Sequence, residues 1–137
     1  MGGPVSNQLP KFPLTNGPNP HGSIMAFRVV LDPATSRPAL HPAWISGDFN
    51  LPDPSVIANG VLFALSTGEN ADQETDRLKN TKPAVLYALD AKTGKVLYQS
   101  GNAIDGWVHF SGLAVADGRL YAVDHDSRLY CFGLKGR

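Results

Sequence analysis

Cysteine is nearly absent from this chain, and so is any surplus of charge of one sign. A single cysteine, Cys131, in 137 residues cannot close an internal disulfide, so no covalent framework organises the fold. It stands in Leu-Tyr-Cys-Phe-Gly among apolar neighbours, which predicts a buried packing residue rather than a reactive thiol. Twelve basic side chains balance twelve acidic ones, leaving no electrostatic footprint for nucleic acid or another polyanion. No apolar run approaches the ~20 residues that span a bilayer, and the N-terminus shows no basic-then-apolar leader pattern. Uninterrupted helical stretches are scarce too, because eleven prolines and fourteen glycines favour turns over long helices.

What is present is a series of short alternating runs around turns. In Ala84–Ser100, Val85, Tyr87 and Leu89 alternate with Leu86, Ala88 and Asp90. A second run, Val96-Leu97-Tyr98, follows the polar Ala-Lys-Thr-Gly-Lys. Aromatic and β-branched residues on both sides of a Gly-containing turn predict a β-hairpin. Gly94 can take positive φ cheaply, and Asp90 can hydrogen-bond the turn it precedes. Ser55–Ala58, Asn59-Gly60 and Val61–Leu65 make a second hairpin, since Asn-Gly is the strongest two-residue turn signal. Leu113–Ala116, Asp117-Gly118 and Arg119–Val123 make a third, followed by a strand over Ser127–Leu134. Near the start, Ser23–Val30 and Ala43–Ser46 read as strands joined by a Pro-containing loop. Met1–Gly22, with five prolines, reads as an extended or poorly ordered lead-in. Thr67–Pro83 is polar and reads as a solvated insertion.

These pieces repeat. Asn59-Gly60 lies over Asp117-Gly118, and Leu62-Phe63-Ala64 over Leu120-Tyr121-Ala122. The strand that follows occurs three times, placing Met25, Tyr87 and Tyr130 at one position. Ala26, Ala88 and Cys131 share the next position, and Phe27, Leu89 and Phe132 the one after. Self-similarity at a period of this size marks stacked supersecondary units. The order of strands gives a partial unit over 23–47, a full four-stranded antiparallel unit over 48–100 with its insertion at 67–83, and a partial unit over 101–137. The expected fold is all-β: a partial β-propeller of about two and a half blades, where closed rings hold about four to eight.

The segment Ala88-Leu-Asp90-Ala-Lys-Thr93-Gly94-Lys95-Val-Leu-Tyr98 resembles the repeat of PQQ-binding-like (quinoprotein) β-propellers, Ala-x-Asp-x-x-Thr-Gly-Lys-x-x-Trp. Ala88, Asp90, Thr93, Gly94 and Lys95 match, and Tyr98 stands where the family usually has Trp. The earlier unit keeps that ending as Trp44 but lacks the Thr-Gly-Lys turn. The resemblance covers Ser23–Leu134. It implies that the Trp docks between adjacent blades near the next blade's Gly-containing turn. It also implies a periplasmic or secreted location, and the incomplete first and last units fit the C-terminal portion of a longer propeller. The partners it implies are the remaining blades of that propeller and a protein docked on the loop-rich face. Two functions are compatible with it: a non-catalytic binding or assembly scaffold, which is the expectation, or part of a quinoprotein alcohol or sugar dehydrogenase using PQQ and Ca²⁺.

Blade order sorts the connections by face. The tight turns Asn-Gly, Asp-Gly and Ala-Lys-Thr-Gly-Lys fall on one side. The longer polar connections (47–54, 67–83, 101–110 and 124–126) fall on the other, which is where a rigid scaffold usually carries binding or chemistry. Trp107 and His109 are the cofactor-contact candidates there, against packing and hydrogen bonding as their plainer roles. Asp124 and Asp126, flanking His125, are the metal candidates, but adjacent residues point in alternating directions and the triplet suits a turn. Asp48, Asp53, Glu69 and Asp105 share these loops without the grouping a calcium cage requires. Lys92-Thr93-Gly94-Lys95 is not a phosphate loop, since Leu89 stands where Gly is needed and Val96 where Ser or Thr is.

Overall fold

A computed structural model describes residues 10–70 and 78–133. The beginning of the lead-in (1–9), the acidic-basic middle of the insertion (71–77) and the end of the last strand (134–137) lie outside the described residues. Among the described residues there are ten strands and no helix, hence none long and apolar enough to cross a membrane.

The strands form three sheets. β1 (Leu14–Thr15), β2 (Met25–Leu31) and β3 (Pro38–Ile45) make the first, in the order β1-β3-β2. β4 (Val56–Ala58), β5 (Val61–Ser66), β6 (Val85–Asp90) and β7 (Val96–Gln99) make the middle one, an antiparallel meander in chain order. β8 (Leu113–Ala116), β9 (Arg119–Val123) and β10 (Leu129–Gly133) make the third, also antiparallel.

Local chemistry sets the hairpins. Asn59-Gly60 and Asp117-Gly118 all have positive φ, at 50° and 77° and at 49° and 71°, the conformation that matches a two-residue turn to strand twist. In the third turn Asp90 Oδ1 accepts from the Lys92 amide at 2.9 Å, the Thr93 amide at 2.8 Å and the Thr93 hydroxyl at 2.9 Å. These bonds, the Thr93 hydroxyl foremost, hold the Asp90 carboxyl below its ordinary range.

Side-chain alternation then builds two cores. On the middle sheet Leu62, Ala64, Tyr87 and Leu89 face the first sheet and pack with Ile24, Ala26 and Trp44. Phe63, Leu65 and Leu86 face the other way, against Leu120, Ala122, Tyr130 and Phe132 of the third sheet. A period of two thus supplies both faces of one sheet with apolar residues. The two cores use the same positions of the sequence repeat, with Leu62, Ala64, Tyr87 and Leu89 answering to Leu120, Ala122, Tyr130 and Phe132. The backbone repeats as well. Ala26 pairs with Trp44, Ala88 pairs with Tyr98, and both ladders carry an irregularity immediately afterwards.

Three expectations need correction. Cys131 is exposed rather than buried, because its place in the alternation turns it to the side of the third sheet opposite Tyr130 and Phe132. The lead-in is not a plain loop: Leu14–Thr15 pairs parallel with Trp44–Ile45, and the Asn16 side-chain amide donates to the carbonyls of Ile45 at 3.1 Å and Thr93 at 3.0 Å. The second strand begins at Pro38 rather than Ala43. Pro38 and Pro42 fall in the part of β3 that β1 does not reach, where one edge is open and a missing N–H removes no ladder bond.

Candidate functional site

The longer connections are laced together on one side of the sheets. Thr67 is the hub: its amide donates to the Asn50 carbonyl at 2.9 Å, and its carbonyl accepts from the Val108 amide at 2.9 Å. Its hydroxyl lies 3.0 Å and 2.9 Å from the carbonyls of Asn50 and Leu51. The Asn50 side-chain amide donates to the Glu69 carbonyl at 2.7 Å. The His125 amide donates to Trp107, and the Ala84 amide to Gly106. Thr67 and Glu69 are therefore buried, where composition alone pointed to a solvated insertion. The backbone of 67–69 is drawn inward by hydrogen bonds from two other loops.

Three ionisable groups meet inside this lacework. His109 Nδ1 lies 3.0 Å from Glu69 Oε2, and the Glu69 side chain is almost wholly enclosed. Asp53 is 8% exposed, and its Oδ2 is buried without a hydrogen-bond partner. Burial is the main reason its carboxyl titrates above the ordinary range. His109 opposes that shift, Glu69 adds to it, and the amides of Phe110 and Gly112 oppose it. Two bulky residues with left-handed backbone flank the group, Leu51 at φ 45° and Phe110 at φ 52°. Elsewhere among the described residues positive φ falls on glycine or on Asn, Asp and Ser, which tolerate it. Phe110 is 75% exposed and its ring lies 4.1 Å from that of His109, so the loop tip presents an aromatic surface held by strained backbone.

Trp107 is buried, and one ring face is taken by His125, stacked at 4.2 Å and 17°. His109 approaches it at 5.8 Å. The face of Trp107 stacked on His125 is closed to any other ring. Asp124 is buried and serves its own turn: Oδ1 accepts from the Arg128 amide at 2.9 Å and Oδ2 from the Tyr130 hydroxyl at 2.8 Å. Burial alone would raise its carboxyl, but those bonds, the Asp126 amide and the Arg128 charge together hold it below the ordinary range. Asp105, Asp124 and Asp126 each place an oxygen 3.7 to 3.9 Å from Arg128 Nη1. The Arg128 guanidinium thus supplies the positive charge that these three carboxylates face. Among the described residues no group of three or more His, Cys, Asp or Glu converges as an ion cage, and the donor set does not fit Ca²⁺. Asp48 lies apart, paired with His21 at 2.7 Å.

Of the repeat-motif residues, Trp44 and Gly94 meet in a seam between the first and middle sheets. Trp44 is 1% exposed, and its indole N–H donates to the Ala91 carbonyl at 3.0 Å. Its ring covers Gly94, where an added Cβ would stand 2.7 Å from Trp44 Cδ2. Tyr98, its counterpart on the middle sheet, is exposed. The Asp53–Glu69–His109 group was missed from sequence. Its members lie 16 and 40 residues apart on three loops, and the one sequence signal for them is the expectation that all three loops share a face.

No family model matches the chain, and no curated protein matches it either.

Proposed function

We propose that this chain is an arc of a PQQ-like β-propeller and serves as a non-catalytic binding scaffold, engaging a partner through the face where its longer connections converge. The observation that carries the reading is the commitment of most polar groups on that face, Asp53 Oδ2 excepted. Asp124 holds its turn, His109 holds Glu69, and one face of Trp107 is taken by His125. Groups already spent on holding loops are poor acids, bases or cofactor contacts, whereas Phe110 stands out as a recognition surface. The propeller reading is supported by three sheets stacked through equivalent positions and by Trp44 seated on the Gly94 turn of the next sheet. The side-by-side approach of β4 and β8, the first strands of neighbouring sheets, supports it too.

The test is to titrate the chain with PQQ in the presence of Ca²⁺. Tryptophan fluorescence and reduction of an artificial electron acceptor with alcohols and sugars are followed together. The scaffold reading expects neither saturable quenching nor turnover. Saturable quinone binding with Ca²⁺-dependent dye reduction, lost in Trp107→Ala, would overturn it in favour of the dehydrogenase.

A further inference from the structure

Among the described residues, Asp53 Oδ2 is the buried side-chain oxygen that no donor serves, and an atom so placed destabilises whatever encloses it. Asp53 is 8% exposed, so a partner docking on the face from outside leaves this oxygen untouched. What encloses it is under load as well. Leu51 and Phe110 hold left-handed backbone, and Gly112 beyond them has φ 66°, a region that costs a bulky residue energy and glycine little. The backbone amides of Phe110 and Gly112 bear on the Asp53 carboxyl and favour its charged form. The chain is tied on either side of Phe110. The Val108 amide donates to the Thr67 carbonyl at 2.9 Å, and the Ser111 hydroxyl to the Val123 carbonyl at 2.8 Å. The charges that act on Asp53 come from two other connections: His109 favours the carboxylate and Glu69 opposes it. Those two lie 3.0 Å apart, so one imidazole is shared between two carboxyl groups. Asp48, on the same connection as Asp53, is paired with His21 instead.

We propose that Asp53 is a proton-operated latch for the recognition loop: with the carboxyl protonated, His109–Gly112 stays closed over it, and loss of that proton to solvent releases the segment. The physical reason is the cost of a carboxylate with one buried, undonated oxygen. Lifting the covering segment admits water to that oxygen and at the same time frees Phe110 from its left-handed backbone. Because the carboxyl titrates above 3.8 in the closed structure, chiefly through burial, closure is most stable below 3.8 and weakens as pH rises through the raised value. Recognition through an ordered Phe110, 75% exposed at the tip of this segment, is then favoured by acid. The latch names what regulates the loop face, and it rests on the scaffold reading above for the use of that face.

The experiment is amide hydrogen exchange followed by NMR on wild type and Asp53→Asn, from pH ~3 to ~8 and with and without a little urea, rates being corrected for the intrinsic effect of pH. In wild type the protection of the Phe110 and Gly112 amides should fall with rising pH, by up to about tenfold per pH unit at its steepest. Low urea should leave that protection unchanged, because lifting a short segment exposes little surface. The amides of β5 and β6 should exchange more slowly and respond to urea, as groups that open only with the whole fold do. In Asp53→Asn, whose side chain carries no proton to lose, protection of Phe110 and Gly112 should not change with pH. Three results would each overturn the latch: loop amides that share the rate and urea response of β5 and β6, protection independent of pH in wild type, or a pH profile that survives Asp53→Asn. Should the variant not fold, the wild-type pH and urea series decides alone. Exchange is read without partner or quinone, so a failed latch leaves the scaffold reading standing, and quinone turnover would overturn the scaffold while leaving the exchange result as it is.

Discussion

Replacing Trp44 and Gly94 singly and together measures how much of the stability lies in the seam between the first and middle sheets. An indole of this size buries ~150–250 Å², which at ~25 cal/mol/Å² is about 4–6 kcal/mol of transfer free energy as an upper bound. Its N–H bond to the Ala91 carbonyl at 3.0 Å adds about 1 kcal/mol. Partial relaxation of the cavity brings the expected loss for Trp44→Ala to about 3–5 kcal/mol. Gly94→Ala carries two separate costs. Its φ of 72° penalises a side chain by about 1–2 kcal/mol, and the new methyl overlaps the Trp44 ring, an overpacking cost of about 1–3 kcal/mol. The part of the second cost that falls on the Trp44 ring vanishes when Trp44 is already alanine, while the Asn16 side-chain amide, 2.9 Å from the same added carbon, still crowds it. The double mutant should therefore be more stable than the sum of the singles by up to about 3 kcal/mol, where unconnected sites add to within about 0.5 kcal/mol.

Urea unfolding followed by circular dichroism gives all four corners of the cycle, and the fluorescence of Trp107 alone reports on the two that lack Trp44. With a slope of about 1–3 kcal/mol/M, Trp44→Ala should lower the midpoint by more than about 1 M. Should that variant fail to fold, Trp44→Phe takes its corner, keeping an aromatic face while losing the hydrogen bond. A cycle that is additive within error would refute the contact and, with it, the stacking of the first sheet on the middle one.

Asp53→Asn should stabilise the chain at neutral pH. The folded-state carboxyl titrates above 3.8, chiefly through burial, so the folded state binds more protons and stability falls as pH rises from 3.8 through the raised value. The variant escapes that loss, and urea midpoints of the two proteins should separate as pH rises and coincide at pH ~3; a variant less stable at neutral pH would mean the charge is well paired. Tyr130→Phe removes the hydroxyl that donates to Asp124 at 2.8 Å and accepts from the Asp105 amide at 3.0 Å, and should cost about 1.5–3 kcal/mol. Because the Asp124 carboxyl is held below 3.8, its contribution is present above that value and is lost as pH falls through the folded value. The gap between Tyr130→Phe and wild type should accordingly narrow on acidification, and a gap independent of pH would show that the hydroxyl does not serve the carboxylate.

The sequence by itself determined what short-range chemistry controls. Asn59-Gly60, Asp117-Gly118 and Asp90 with Gly94 specify turns through φ and through a carboxylate bonded to its own turn. Alternation in β5 and β6 specified two apolar faces. Tertiary structure alone decided what depends on neighbours distant in the chain. Cys131 carries the same apolar context as the buried Ala88, yet it is exposed because no sheet among the described residues covers its face. Leu14–Thr15 carries no strand signal and becomes one only because Trp44–Ile45 offers it a free edge. Thr67 and Glu69 look like solvent-facing polar residues and are buried because loops 17 and 40 residues away close over them with hydrogen bonds. Local sequence sets which backbone conformations and faces are favourable. Burial of a polar or apolar side chain is a property of whatever lies across from it, and that is settled only when the sheets stack.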